Sequence, residues 1–214
     1  MSALTAIDIL VNPDENTLRH ARAWNARMRE SVPGGFALDA SHQPHITTLQ
    51  RYVRTAELDE VYAAIGDTLT ATDTGALSYR AVAIKHADWG VPGQGLAGIL
   101  LQPSEQVLDF QAALLAAVIP FTESGGTAAA FVTDPGEDIS QSTRDWVEHY
   151  VPAQIGPGTY TAHVTVGFAT LDDLDTIEAE PFDAFDVHPA AVAVYQLGNS
   201  GAARELLKTW TISH

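Results

Sequence analysis

Two short segments constrain the fold of this chain most, because both place the same polar pair inside an apolar, strand-prone run. They are Pro44-His45-Ile46-Thr47 and Ala162-His163-Val164-Thr165. Side chains in a strand alternate between faces, so a histidine and a threonine two residues apart point to the same side. If the two strands face one another, the result is a cleft lined by two imidazoles and two hydroxyls.

The sequence around these motifs repeats as well. Residues 9–15 read Ile-Leu-Val-Asn-Pro-Asp-Glu and residues 99–105 read Ile-Leu-Leu-Gln-Pro-Ser-Glu, and each indicates a strand end, a proline and a helix start. Each half of the chain then continues with a motif strand, a helix and a further strand. The pattern predicts an internal duplication with an α+β fold. We expect a bilobal, pseudo-twofold body in which two antiparallel sheets, flanked by helices, surround a central cleft.

The duplication also predicts the domain organisation. We expect a single bilobal domain over residues 1–214, with a first half at about 1–95 and a second at about 96–214. The second half is longer because it carries an insertion at about 120–150. Near the C terminus, residues 185–197 and 203–212 are predicted as two strands joined by a Gly-Asn-Ser-Gly turn.

The charge of the chain limits its partners. The formal net charge is −16, which disfavours a large basic surface for long nucleic acid and favours a small substrate. The chain has no cysteine, which is typical of a reducing compartment. The N terminus lacks the pattern of a signal peptide, and no run of about 18 apolar residues predicts a membrane span. We therefore expect a cytoplasmic protein, monomeric by default.

A pair of such strands has a defined chemistry. The unperturbed pKa of histidine lies near neutrality, so one imidazole can take a proton from an attacking oxygen while the other protonates the departing one. Threonine hydroxyls can donate hydrogen bonds to the non-bridging oxygens of a phosphate. This route needs no metal ion, and we expect no cofactor.

The motifs and the duplication together resemble the 2H (two-histidine) phosphoesterase superfamily, which includes 2′-5′ RNA ligase-like proteins and cyclic nucleotide phosphodiesterases. The matching segments are 44–47, 163–167 and the C-terminal Tyr-Gln-Leu-Gly at 195–198. Ala162 departs from the family pattern, in which a proline often precedes the second histidine. The resemblance implies a small nucleotide or oligonucleotide substrate with a 2′,3′-cyclic phosphate or a 2′-5′ phosphodiester. The implied catalytic residues are His45, Thr47, His163 and Thr165.

Two alternatives from other classes stay open. The same scaffold would serve a non-catalytic module that binds a nucleotide or an RNA end. A metallohydrolase is less well supported, because His42 and His45 are separated by Pro44 and fall on opposite faces of the strand, and no carboxylate is spaced to complete a metal site. The sequence does not decide which histidine is the acid and which is the base.

Four further residues are candidates for substrate binding. Arg51 has the strand parity of the first motif, which predicts that it reaches a phosphate, although a surface arginine at a strand end fits equally well. Trp89, Tyr160 and Phe168 are candidates for stacking on a base. Core or loop packing is the more common role of such aromatic side chains.

Overall fold

A computed structural model describes residues 2–39 and 42–212 of the chain. Residues 1, 40, 41, 213 and 214 of the predicted 1–214 domain lie outside the described residues. The strands are β1 (Leu4–Pro13), β2 (Ile46–Arg54), β3 (Tyr79–Asp88), β4 (Gln94–Pro103), β5 (His163–Thr170), β6 (Phe185–Val187), β7 (Pro189–Leu197) and β8 (Ala203–Thr211). The α-helices are α1 (Glu15–Ser31), α2 (Leu58–Ala71), α3 (Glu105–Val118), α4 (Gln141–Gln154) and α5 (Leu171–Ala179).

The strands form two four-stranded antiparallel sheets with matching orders. Sheet A has the order β2-β1-β7-β8, and sheet B has the order β5-β4-β3-β6. A motif strand forms one edge of each sheet and pairs with the strand that precedes a helix, either β1 or β4. The predicted α+β fold with duplicated antiparallel sheets is confirmed.

Both sheets take strands from both halves of the sequence. Sheet A combines β1 and β2 with the C-terminal β7 and β8, whereas β3 from the first half lies in sheet B. The predicted division near residue 95 thus separates two sequence copies whose strands are shared between the sheets. The single bilobal domain stays a prediction.

The prediction of one strand over residues 185–197 is wrong. The chain forms β6 on the edge of sheet B, breaks at His188, and continues as β7 in the middle of sheet A. Pro189 is the physical signal for the break, because proline cannot donate a backbone hydrogen bond and is confined to strand ends and edges. This short break carries the chain from one lobe to the other.

The two strand-to-helix junctions repeat in structure as they do in sequence. Asp14 caps α1 by accepting a 2.7 Å hydrogen bond from the backbone N–H of Thr17. Ser104 caps α3 in the same way, with Val107 as the donor at 3.4 Å. Both caps satisfy backbone donors that the first helical turn leaves without partners.

Each motif strand is preceded by a segment that packs on the opposite sheet. The segment before β2 carries Phe36, whose ring lies edge-on to Phe168 of β5 at 6.0 Å. The insertion before β5 carries Phe131, whose ring lies edge-on to Tyr52 of β2 at 5.9 Å. Phe131 and Tyr52 belong to a small second core, so the insertion adds a hydrophobic layer to sheet A. Within residues 2–39 and 42–212, no helix is both long and apolar enough to cross a membrane.

Candidate active site

A β-bulge in each motif strand determines which side chains share a face. In sheet A, Leu10 pairs with Thr47 and Ile9 pairs with Leu49, so Thr48 is an extra residue in β2. In sheet B, Gly98 pairs with Thr165 and Ala97 with Gly167, so Val166 is the extra residue of β5. The bulges occupy equivalent positions and reverse the alternation of side chains beyond them. We call the face that carries the motif threonines the site face of each sheet.

The two histidines are held by the same hydrogen bond. Nδ1 of His45 lies 2.8 Å from the carbonyl oxygen of Gln43, and Nδ1 of His163 lies 2.8 Å from the carbonyl oxygen of Thr161. A carbonyl oxygen only accepts, so each Nδ1 carries a hydrogen and donates it. No described residue forms a hydrogen bond with either Nε2, so each can give or take a proton, as acid–base catalysis by imidazole requires.

The edge strands β2, which begins directly after His45, and β5, which begins at His163, lie against one another. The hydroxyl of Tyr160, just before β5, donates a 2.8 Å hydrogen bond to the carbonyl oxygen of Thr47 in β2. His163 has an exposed surface, yet the protein atoms packed around its ring desolvate it and lower its pKa. The hydrogen bond to Thr161 opposes that shift, and the charge of His45 lowers the pKa of His163 further. The pKa of His163 thus depends in part on the charge of His45.

A buried carboxyl group lies behind the first motif. Asp8 of β1 is fully buried, and its Oδ2 accepts hydrogen bonds from Thr47 Oγ1 at 2.9 Å and from Gln50 Nε2 at 3.1 Å. Burial raises the pKa of Asp8, while the charge of His45 and the two hydrogen bonds act in the opposite direction. The motif threonine is thus hydrogen-bonded to the carboxyl of Asp8, an ionisable group that lies outside the motif.

The position in sheet B that corresponds to Asp8 in sheet A is apolar. Asp8 pairs with Gln50 two places from the first bulge, and the corresponding pair beyond the second bulge is Leu96 with Phe168. No described side chain forms a hydrogen bond with the hydroxyl of Thr165, so its hydrogen is available to a ligand. The two motifs are alike in their imidazoles and different in the surroundings of their hydroxyls.

Two buried carboxamides fix the bulges. Asn25 of α1 donates a 2.8 Å hydrogen bond to the carbonyl oxygen of Val166, and Gln111 of α3 donates one of 3.0 Å to that of Thr48. Asn25 also bonds Phe36 O and Leu38 N ahead of β2, whereas Gln111 bonds Gln154 O and Gly156 N ahead of β5. Each amide therefore ties the bulge of one motif strand to the segment that leads into the other.

Gly167 allows the close approach of α1 to the second bulge. Its φ is +132°, and an added Cβ would lie 3.1 Å from Asn25 Nδ2 and 3.2 Å from Met28 Cβ. A side chain at this position would be strained and would displace the amide that holds Val166. Glycine here is required by the same packing that positions the motif strand.

The bulge changes the interpretation of Arg51. The residue pairs with Ile7, so its side chain points away from the site face that carries Thr47 and Gln50. Its Nη2 lies 3.5 Å from Thr122 Oγ1, beyond the end of α3, and its buried Nε has no hydrogen-bond partner among the described residues. The expected strand parity of Arg51 is wrong, because the count did not include the extra residue of the bulge. Phosphate binding by Arg51 stays a prediction.

The three aromatic candidates lie in different environments. Trp89 is 46% exposed in the turn between β3 and β4, next to the end of β5 that is far from His163. Tyr160 is half-buried, and its hydroxyl is engaged by the main chain of β2. Phe168 lies on the site face of sheet B against Phe36. Base stacking by any of them stays a prediction.

Asp8, Gln50, Asn25 and Gln111 are the residues that sequence reasoning missed. A signal existed for Asp8, since it is the one acid in the apolar run of residues 6–11 and a buried charge is expensive without partners. The amides gave no comparable signal, because polar residues on amphipathic helices are usually solvated. In the described part of the chain, no group of three or more His, Asp or Glu residues could hold a metal ion.

Comparison with solved structures finds resemblance over the whole chain at low identity. E. coli LigT complexed with 3′-AMP is 11% identical, with a TM-score of 0.49 and 100% of each chain covered. A protein described as a phosphoesterase is 10% identical, with a TM-score of 0.47 and coverage of 98% of this chain and 99% of that one. Kluyveromyces marxianus Usb1 with uridine monophosphate is 12% identical, with a TM-score of 0.46 and coverage of 96% and 98%. No family model and no curated protein sequence matches the chain.

Proposed function

We propose that this protein is a phosphoesterase of the 2H type. Its substrate is a small nucleotide or oligonucleotide that carries a 2′,3′-cyclic phosphate or a 2′-5′ phosphodiester, and it acts without a metal ion. The proposal rests on one observation above all: both imidazoles direct Nδ1 at a main-chain carbonyl oxygen two residues earlier, and neither Nε2 forms a hydrogen bond with a described residue. A phosphate between them would have a proton acceptor on one side and a proton donor on the other.

The surroundings of the histidines favour a division of roles. Desolvation and the charge of His45 lower the pKa of His163, so His163 is the better candidate for the neutral form at neutral pH. Its Nε2 then takes a proton from the attacking water as the new P–O bond forms. The Nε2–H of His45 gives a proton to the ester oxygen as the old P–O bond breaks. Thr165, and Thr47 when its hydrogen is released, stabilise the charge on the non-bridging oxygens.

The overall charge supports a small substrate. With a formal net charge of −16, the chain repels a long phosphate backbone, whereas a single phosphate needs only local donors. The histidines and threonines provide such donors without a lysine or arginine in the motifs. We therefore expect nucleotides and short oligonucleotides to be better substrates than long RNA.

A substrate panel tests the proposal. Purified protein is incubated with 2′,3′-cyclic nucleotides, 2′-5′-linked and 3′-5′-linked dinucleotides, each with and without a chelator. We expect hydrolysis of a cyclic or a 2′-5′ substrate that the chelator does not reduce. The double variant His45→Ala/His163→Ala should keep its thermal melt and lose turnover.

Three outcomes contradict the proposal in different ways. Full activity of the double variant would place the chemistry elsewhere. Tight binding without turnover across the panel would indicate the nucleotide-binding module instead. Activity that the chelator removes and a divalent metal ion restores would indicate a metallohydrolase.

A further inference from the structure

Asp8 makes the hydroxyl of Thr47 unlike that of Thr165. A hydroxyl has one hydrogen, and the hydrogen of Thr47 is directed at the Asp8 carboxylate. While Asp8 is ionised, Thr47 presents only lone pairs to the cleft, and these repel the oxygens of a phosphate. The hydroxyl of Thr165 is under no such constraint.

The position of Asp8 is also unfavourable for an anionic ligand. The carboxyl is fully buried, and its Oδ1 accepts no hydrogen bond from any described residue. Among the described residues, the ionisable groups that face Asp8 include His45, which precedes β2, Tyr195 of β7 and Tyr150 of α4. Burial raises the pKa of Tyr150, and the charge of Asp8 raises it further. A phosphate at His45 would therefore approach a second negative charge through poorly solvated surroundings.

A proton on Asp8 removes both difficulties. Oδ2 then donates to Thr47 Oγ1, and the hydrogen of Thr47 turns to a phosphate oxygen. The proton comes from solvent, and no covalent bond between heavy atoms changes. Burial already raises the pKa of Asp8 and so reduces the cost of this protonation.

We infer that Asp8 is a positioning residue that acts through Thr47, and that anion binding at the two histidines is coupled to uptake of a proton by Asp8. The inference rests on the proposed function, because it needs a phosphate between His45 and His163. It assigns to the first lobe a proton-controlled donor and to the second a permanent one.

Titration calorimetry with sulfate tests the coupling, because the charge of sulfate is constant between pH 5 and 8. Binding is measured at fixed ionic strength in buffers of different ionisation enthalpy, which gives the number of protons taken up. At pH 7 the wild type should take up about one proton more than Asp8→Asn. Asp8→Asn should bind sulfate about tenfold more tightly, because the amide removes a charge and can donate to Thr47.

Two control variants separate this effect from general ones. Asp67→Asn removes one exposed acid of α2 and should leave sulfate affinity unchanged within twofold, since surface charges are screened. Thr47→Val removes the hydroxyl that transmits one part of the effect, so the gain from Asp8→Asn should be smaller in the Thr47→Val background, where only the removal of the buried charge contributes. If Asp8→Asn does not fold, the proton uptake of Thr47→Val alone is compared with wild type, and a reduced uptake is expected.

Equal affinity and equal proton uptake in wild type and Asp8→Asn would overturn the inference. If Asp8→Asn does not fold and Thr47→Val is used instead, a proton uptake by Thr47→Val equal to that of wild type would also overturn the inference. If the inference fails in this way but His45→Ala and His163→Ala abolish sulfate binding, the proposed function is not affected. If the wild type neither binds sulfate nor turns over any substrate of the panel, both the inference and the proposed function fail.

Discussion

The two motif strands have the same imidazole geometry and different hydroxyl environments. Behind Thr47 lie the carboxyl of Asp8 and the amide of Gln50, whereas the pair at the corresponding position beyond Thr165 is Leu96 and Phe168. The duplication has therefore preserved what holds the histidines and changed what surrounds the threonines. Such unequal surroundings favour different roles for the two lobes in a reaction that uses one acid and one base.

The largest expected effect comes from removing either histidine, because both lobes carry one in the same geometry. His45→Ala and His163→Ala should each lower kcat by about 10²- to 10⁴-fold, the range for loss of one acid–base group. Steady-state kinetics on the preferred substrate measure this, with a thermal melt to show that the fold persists. A single variant that keeps more than a tenth of wild-type activity would show that its lobe is dispensable.

The threonines should reveal how the lobes differ. Thr165→Val should lower kcat/KM by about 10- to 100-fold, the loss of one hydrogen bond to a charged group. Thr47→Val should cost less at neutral pH, because its hydrogen is held by Asp8 in the free protein. The ratio of the two effects is the measurement, and equal losses at every pH would contradict the difference between the lobes.

The buried amides should again behave alike. Gln111→Ala and Asn25→Ala each leave a bulge carbonyl without its side-chain donor and should lower the free energy of unfolding by about 1–3 kcal/mol. Gln106→Ala, on the exposed side of α3, is the matched control and should change stability by less than about 0.5 kcal/mol. Denaturant unfolding measures all three. An unchanged free energy of unfolding in Gln111→Ala would show that this amide does not stabilise the bulge.

The smallest expected effect is a change in the pKa of His163 when His45 is removed. Desolvation lowers the pKa of His163, and the charge of His45 lowers it further, so His45→Ala should raise the pKa of His163 part of the way toward the ordinary histidine value. Because His163 acts as the base in the proposed reaction, turnover falls as the pH drops through its pKa. The acid limb of the pH–rate profile should therefore lie at a lower pH than the pKa of an ordinary histidine. NMR of the imidazole resonances measures the shift, and an unchanged His163 in the variant would show that the rings are too far apart to interact.

Sequence reasoning reached the repeated layout and the two motif strands because both depend on local patterns. Alternation places His45 and Thr47 together, and the proline-to-helix junctions mark the repeat. It failed for Arg51 because a bulge has no reliable signature in a single sequence and reverses every position beyond it. Asp8 reaches Thr47 across neighbouring strands, and that register follows from the folded sheet.

The break at His188 shows a different limit. The run from 185 to 197 has the composition of one strand, and only Pro189 indicates otherwise. Nothing in that run specifies that its two parts belong to different sheets, because sheet membership depends on long-range pairing. Local preference predicted the strands, and tertiary pairing decided where they went.

The exchange of strands has a consequence for how such a molecule can be assembled. A polypeptide ending after β3 would leave that strand without its neighbour β4 and would leave β1 without β7. Two such fragments would have to trade strands to complete themselves, as in a swapped dimer. We therefore expect severed halves to associate before either becomes ordered, and an ancestral single-copy protein of this type to have existed as an intertwined pair.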